Sequence, residues 1–193
     1  MKELPNVDLE KKLYLEHLKK GNIILSPTDT IWGLHCDATN ILAIEKIIYI
    51  KNRPTVKSFI IIVSDIDMVL EYVSHIPTIA YQLIQNTTEP LTIVYPEGKN
   101  LPKIILGDDN SIAIRITLHP ILKQIIKEFN KPILSTSANF SGEKPPSTFE
   151  EINDLIKKTV DYISFLPEME KKQNKPSKII KVLPNNEFII LRE

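Results

Sequence analysis

Five short runs rich in β-branched residues punctuate the chain: NIILS at 22 to 26, FIIIV at 59 to 63, LTIVY at 91 to 95, SIAIRI at 111 to 116 and PILST at 132 to 136. Most are apolar without alternation, the mark of strands covered on both faces. Between them lie segments with helical spacing of apolar residues. One follows Asp8, with Leu9, Leu13 and Leu18 and a stop at Gly21; another follows Asn40, with Ile41, Ile44, Ile47 and Ile48. Further helices are expected after Asp65 and from Pro77, and HPILKQIIKEF at 119 to 129 is another. Strands alternating with helices predict an α/β domain whose helices cover a twisted sheet. After FEEINDLIKK the register changes. The strand-like VDYISFL, the charged stretch PEMEKKQNKP and the pair SKIIKVL and EFIILR around Pro184, Asn185 and Asn186 predict a terminal hairpin, so the sheet is mixed. With 193 residues, 42% of them hydrophobic, the chain is expected to form one domain over 1–193, with Glu168 to Pro176 as its one mobile loop.

The 24 basic and 24 acidic residues cancel, so no global field draws the protein to nucleic acid or an anionic membrane. A single cysteine, Cys36, excludes an intrachain disulfide and suits a reducing compartment. The N-terminal MKELPNVDLEKK has no apolar core of the signal-peptide kind, and no membrane-length apolar run occurs. A cytoplasmic location is expected.

Chemistry-bearing residues collect at strand ends, where open α/β sheets bind ligands. SPTDTIWGL at 26 to 34 presents Thr28, Asp29 and Thr30 beyond a strand. Read by itself it is a strand-to-helix turn with Asp29 bonding its own backbone. In the functional reading Asp29 is the one acid of the segment placed to meet a metal carried by phosphates. KNRPTVK at 51 to 57 offers Lys51, Arg53 and Lys57, three cations suited to a polyphosphate or to a helix C-terminus. Arg115 interrupts an apolar strand and needs an anionic partner, either a structural carboxylate or a bound carboxylate or phosphate. Strict alternation puts Ala113 and Arg115 on one side and Ile112, Ile114 and Ile116 on the other. Beside Arg53 and without a ligand, Arg115 is expected to be a liability whose removal stabilises the empty protein. STSANFSG at 135 to 142 gathers hydroxyls, Asn139 and Gly142 at a strand end and can cradle an anion. No GxxxxGK[ST] loop, GxGxxG fingerprint or Cys/His cluster is present. Trp32 and Cys36 read as core, and the four histidines as structural or exposed.

In this order the segments resemble the YrdC-like family of threonylcarbamoyl-AMP synthases. PTDTIWGL resembles its PT(E/D)TVYGL element, KNRP its KxRP, SIAIRI its VAVR strand, STSANFSG its SAN-SG loop and PSKII at 176 to 180 its PST(I/V) element, over roughly residues 20 to 192. The resemblance implies a YrdC-like fold with a concave, positively charged cavity, in the short form without an extra C-terminal domain. It implies a nucleotidyltransferase that joins L-threonine, bicarbonate and ATP into threonylcarbamoyl-AMP and pyrophosphate, serving the threonylcarbamoyladenosine modification of tRNA through downstream proteins. By position, Thr30, Arg115 and the Ser135 backbone would hold threonine. Arg53, Lys57, Ser111, Ser137, Ser177 and Arg192 would contact ATP with a divalent cation, magnesium by default; Thr28, Lys51 and Asn139 are further candidates. Three departures stand out: TEPLT at 88 to 92, Lys178 within PSKI, and Ile62 where the family often has histidine. The alternative is a non-catalytic module that holds double-stranded RNA or tRNA on the same concave basic surface; against it, the net charge is zero and Lys171, Lys172, Lys175, Lys178 and Lys181 cluster locally with no aromatic ladder beside them.

Overall fold

The computed structural model describes residues 6–52, 59–167 and 175–193. Helix α1 spans Val7–Lys19, and its cap is Asn6 rather than Asp8: the Asn6 side chain accepts from the backbone N–H of Asp8 and Leu9 at 3.1 and 3.2 Å. The carboxylate of Asp8 sits instead in the first turn, where it favours the helix dipole. Gly21, at φ +70°, supplies the left-handed turn that ends the helix.

Strand β1, Ile24–Ser26, is followed at once by β2, Gly33–Asp37, then α2, Ile41–Ile50, capped by Asn40. The sequence offered no strand signal at β2. It opens on glycine and carries no β-branched residue, and it is extended because β1 and β6 hydrogen-bond its two edges. The segment at 26 to 34 therefore turns from strand to strand, not from strand to helix. The remaining elements fall near their expected places: β3 Ile60–Val63, α3 Ile66–Tyr72, α4 Thr78–Asn86, β4 Leu91–Tyr95, β5 Ile112–Ile116, α5 Pro120–Phe129, β6 Ile133–Ser137, α6 Asp154–Thr159 and the hairpin β8 Lys178–Val182 with β9 Phe188–Arg192. VDYISFL contributes only the two-residue β7, Tyr162–Ile163. The expected mobile loop from Glu168 to Pro176 lies mostly outside the described residues.

These strands form one nine-stranded sheet in the order β7-β1-β2-β6-β3-β5-β4-β8-β9. It is mixed: β1/β7, β3/β5 and β4/β8 are parallel and the other pairs antiparallel. Register sorts the side chains into two faces. Gly33 stands opposite Ser137, His35 opposite Ser135, Ser135 opposite Ile60, Ile60 beside Ala113, and Arg115 opposite Thr92, so these residues share one face. Leu34, Leu134, Ile61, Ile114 and Ile93 occupy the other and are buried with the main core. Each such side chain stabilises by about 1.5–3 kcal/mol relative to exposure. Helices α3 and α4 cover that apolar face, where Val69 and Ile84 border a small pocket with Ile93 and Ile114. No helix among the described residues is long and apolar enough to cross a membrane.

Candidate active site

The polar face of the sheet opens into a cavity of about 330 Å³. Thr28, Thr30, Arg115, Ser135, Ser137, Ser177 and Arg192, drawn from five separate stretches of sequence, all line it. The crossing from β1 to β2 supplies the threonines. Thr28 Oγ1 donates to the Ile31 carbonyl at 2.8 Å, accepts from Thr30 N–H at 3.0 Å and stands 2.9 Å from Thr30 Oγ1. Because the one Thr28 proton is committed to Ile31, Thr30 donates to Thr28. Arg115 Nη1 donates to Thr30 Oγ1 at 3.1 Å, which leaves one Thr30 lone pair for a donor in the cavity.

Arg115 is 5% exposed and lies 3.5 Å, through Nη2, from Oδ1 of Asp29, itself 2% exposed. The structural carboxylate left open by the sequence thus exists. Asp29 is held in turn by Leu118 N–H at 3.2 Å and Thr117 Oγ1 at 3.4 Å, and it does not line the cavity. Its oxygens orient Arg115, and no group of three or more His, Cys, Asp or Glu that could hold a metal occurs among the described residues. The described residues therefore offer no set of ligands for a protein-held metal, and a role for Asp29 as metal ligand gains no support from them. The Arg115 Nε is buried with no hydrogen-bond partner among the described residues, a donor at the edge of a cavity that Arg115 lines.

At the opposite wall, Arg192 Nε and Nη2 both donate to the Ser177 carbonyl, at 3.0 and 2.7 Å, and Ser177 Oγ is 2.7 Å from Thr92 Oγ1. This fork ties β9 to the segment before β8. Burial, and secondarily the charge of Arg115, lower the pKa of Arg192, so two guanidiniums share the cavity. Thr92 was not singled out by sequence; its signal was a hydroxyl in LTIVY that pairs with Arg115 across β4 and β5. Trp32, expected in the core, is both buried and cavity-lining, with its ring 5.1 Å from that of Phe149.

Other expectations fall outside the cavity. The buried Lys51 ammonium donates to the carbonyls of Ser137 and Asn139 at 2.5 and 2.6 Å, and the Asn139 amide closes its own loop onto Phe140 and Glu143. Lys51 and Asn139 thus shape the loop after β6, and neither lines the cavity. Ser111 also lies off the lining; its N–H donates to Asp109 Oδ1 at 3.1 Å, and its hydroxyl bonds the same carboxylate. Arg53 and Lys57 lie outside the described residues, as do Lys171 and Lys172. Lys181 forms an ion pair with Asp109 at 2.6 Å. Buried His119 caps α5, accepting from Leu122 N–H, and its Nε2 is 2.9 Å from the Pro167 carbonyl. Cys36 is buried, and desolvation raises its thiol pKa far above the usual range, which excludes a ready nucleophile.

Residues 16–193 match the Sua5_yciO_yrdC family, described as Telomere recombination. A protein of Psychromonas ingrahamii named threonylcarbamoyl-AMP synthase is 40% identical over 146 residues, 74% of this chain and 76% of the relative. A protein of the same name from Pseudoalteromonas translucida is 36% identical over 148 residues, 75% and 79% of the two chains. Among solved structures, P. abyssi Sua5 complexed with L-threonine superposes with a TM-score of 0.87 at 25% identity, covering 98% of this chain and 55% of that one. The chain thus spans little more than half of that Sua5. E. coli YciO matches with a TM-score of 0.80 at 27% identity, over 98% of this chain and 91% of YciO.

Proposed function

Because the chain belongs to the Sua5/YciO/YrdC family, we propose that it is an L-threonylcarbamoyladenylate synthase, an enzyme of the nucleotidyltransferase type that uses ATP as substrate. The observation that carries the reading is the cavity itself. It joins two guanidiniums, Arg115 and Arg192, to the hydroxyls of Thr30, Ser135, Ser137 and Ser177 on one sheet face, within a family whose curated relatives bear that activity in their names.

The reaction takes L-threonine and bicarbonate to a carbamate and water. A carbamate oxygen then attacks the α-phosphorus of ATP, the bond to the β-phosphate oxygen breaks, and pyrophosphate leaves. Arg115, anchored by Asp29, receives the threonine carboxylate on its remaining donors, and Thr30 accepts from the amino acid. Ser137, Ser177 and Arg192 face the nucleotide; Arg53 and Lys57, outside the described residues, are assigned to it by motif position alone. Catalysis is then positioning and charge neutralisation, with no side chain required as a strong base. Magnesium, as the counter-ion of the triphosphate, would arrive on the phosphates, since such ions keep most of their water and few protein ligands. The product is a reactive mixed anhydride, to be consumed in the cytoplasm by acyl transfer during tRNA modification. No observation favours RNA binding as the primary role: Lys181 is spent on Asp109, and the cavity offers one indole, Trp32, rather than a ladder of aromatic rings.

The test is pyrophosphate release from ATP with threonine and bicarbonate, together with the mass of the product formed from labelled bicarbonate. Label in an adenylate of threonine is the expected result. Release indifferent to threonine or to bicarbonate would overturn the reading.

A further inference from the structure

Strand register sets the order of side chains along the cavity floor. Ser135 of β6 stands opposite Ile60 of β3, Ile60 is paired with Ala113 of β5, and Ala113 stands opposite Val94 of β4, so the four share one face, and all four line the cavity. Ala113 alone in that row ends at Cβ. Its neighbours along β5, Ile112 and Ile114, point to the other face and belong to the main apolar core. Ala113 is 6% exposed yet lies outside that core; among the described residues Ile31, which also lines the cavity, is the one other buried apolar residue of which this is true.

A small side chain between larger ones leaves a notch. Ile60 and Val94 stand about 4.8 Å to either side, the spacing of paired strands, so the notch is one side chain wide. Its walls are the hydrocarbon of Ile60 and Val94, and its floor is the Ala113 methyl. Arg115 lies two residues along the same strand on the same face, about 7 Å away. Its Nε is a buried donor with no partner among the described residues. A carboxylate held there puts the rest of an α-amino acid over the adjoining floor, with the first carbons of its side chain within reach of the notch.

Of the substrates in the reading above, two carry apolar surface: the purine of ATP and the γ-methyl of threonine. A purine presents a flat face wider than one side chain. A methyl group matches a notch of that width, and a methyl buried in an apolar pocket is worth about tenfold over a substrate that lacks it.

We propose that Ala113 is a specificity-determining residue of the amino-acid subsite: the notch it leaves between Ile60 and Val94 receives the γ-methyl of L-threonine, and its depth selects the length of the β-substituent. Serine leaves the notch empty, and an ethyl group in place of the methyl overfills it. The inference rests on the threonine-dependent reading given above.

Three amino acids that keep the β-hydroxyl and differ in the β-substituent measure the notch: L-serine with hydrogen, L-threonine with methyl and L-3-hydroxynorvaline with ethyl. In pyrophosphate-release kinetics the wild-type kcat/KM favours L-threonine about tenfold over either of the others. Ala113→Val, which fills the notch, costs L-threonine about tenfold or more and L-serine less than about threefold, and leaves the KM for ATP within about twofold. Ala113→Gly, which deepens it, moves the optimum the other way, and L-3-hydroxynorvaline gains on L-threonine. Equal loss on all three amino acids in Ala113→Val would overturn the proposal, as would a wild type that treats serine and threonine alike. A raised KM for ATP with the order of amino acids unchanged would give the notch to the nucleotide and overturn it too. Should Ala113→Val fail to fold, Ala113→Gly decides by its ratio of L-3-hydroxynorvaline to L-threonine. A wild-type protein that releases no pyrophosphate with any of the three refutes the functional reading itself, whereas a wild-type preference for threonine kept in both variants refutes only the role of Ala113.

Discussion

Replacing Arg115 with alanine separates two consequences of one buried ion pair. Sequence reasoning, with only cations in view as neighbours, expected the empty protein to gain stability. The structure reverses the sign, because Arg115 faces Asp29 and both are nearly inaccessible to water. Truncation leaves Asp29 buried with two neutral donors, Leu118 N–H and Thr117 Oγ1, and strips Thr30 of the donor that oriented it. Breaking a buried pair from one side costs about 3–5 kcal/mol. The 3.5 Å separation and the surviving donors to Asp29 place this case at the lower end, about 3 kcal/mol. Relief of repulsion from Arg192 opposes this by less, since Arg192 is half solvated and its own fork stays on Ser177. For a domain of this size the melting temperature of the empty protein falls by roughly 6–12 °C. Threonine affinity falls by about 2–5 kcal/mol, roughly 30-fold or more. Arg115→Lys keeps the charge for Asp29 and recovers much of the stability, but little of the affinity, because an ammonium cannot offer two parallel N–H bonds. Thermal melting and calorimetric titration of threonine on the three proteins provide the measurements. An Arg115→Ala protein that melts at or above wild type would refute the account of the pair, and unchanged threonine affinity would refute the role of Arg115 at the carboxylate.

Asp29→Asn should raise the threonine KM without rescue by excess magnesium, since the carboxylate orients Arg115; rescue by magnesium in the activity assay would restore the metal reading. Lys51→Met should destabilise by about 1.5–3 kcal/mol, because it removes charge-assisted bonds to Ser137 and Asn139, with hydrogen exchange rising first at 137–140. His35 also gives a pH signature. Its folded-state pKa is lowered, so the unfolded chain binds the extra proton; the stability is complete above about pH 6.5 and is lost progressively as pH falls toward about 3, a slope in melting temperature that His35→Leu flattens. Asp109, whose pKa is lowered first by Lys181 and then by Ser111, acts at lower pH. Asp109→Asn lowers the melting temperature slightly at pH 7, and the gap closes as pH falls below about 4.

Local chemistry made much of this protein legible in one dimension. The runs FIIIV, LTIVY and SIAIRI are strands because β-branched residues crowd a helix and suit a pleated surface, and strict alternation put Ala113 and Arg115 together on the face that became the cavity wall. Asn40 and Asp65 could be read as caps because a cap is settled within three residues. Membership of the family was legible for a similar reason, since motif order survives in the chain itself. Strand β2 was not legible. Its residues have no preference strong enough to announce a strand, and only the edges of β1 and β6 make it one. Partners distant in sequence were equally hidden. That Asp29 pairs with Arg115, that Lys51 donates to loop carbonyls, and that Ser111 turns to Asp109 are outcomes of side chains meeting across 2 to 88 positions. A sequence states which groups can donate or accept, but which donors remain for a ligand depends on which have already been used, and only the folded sheet decides that.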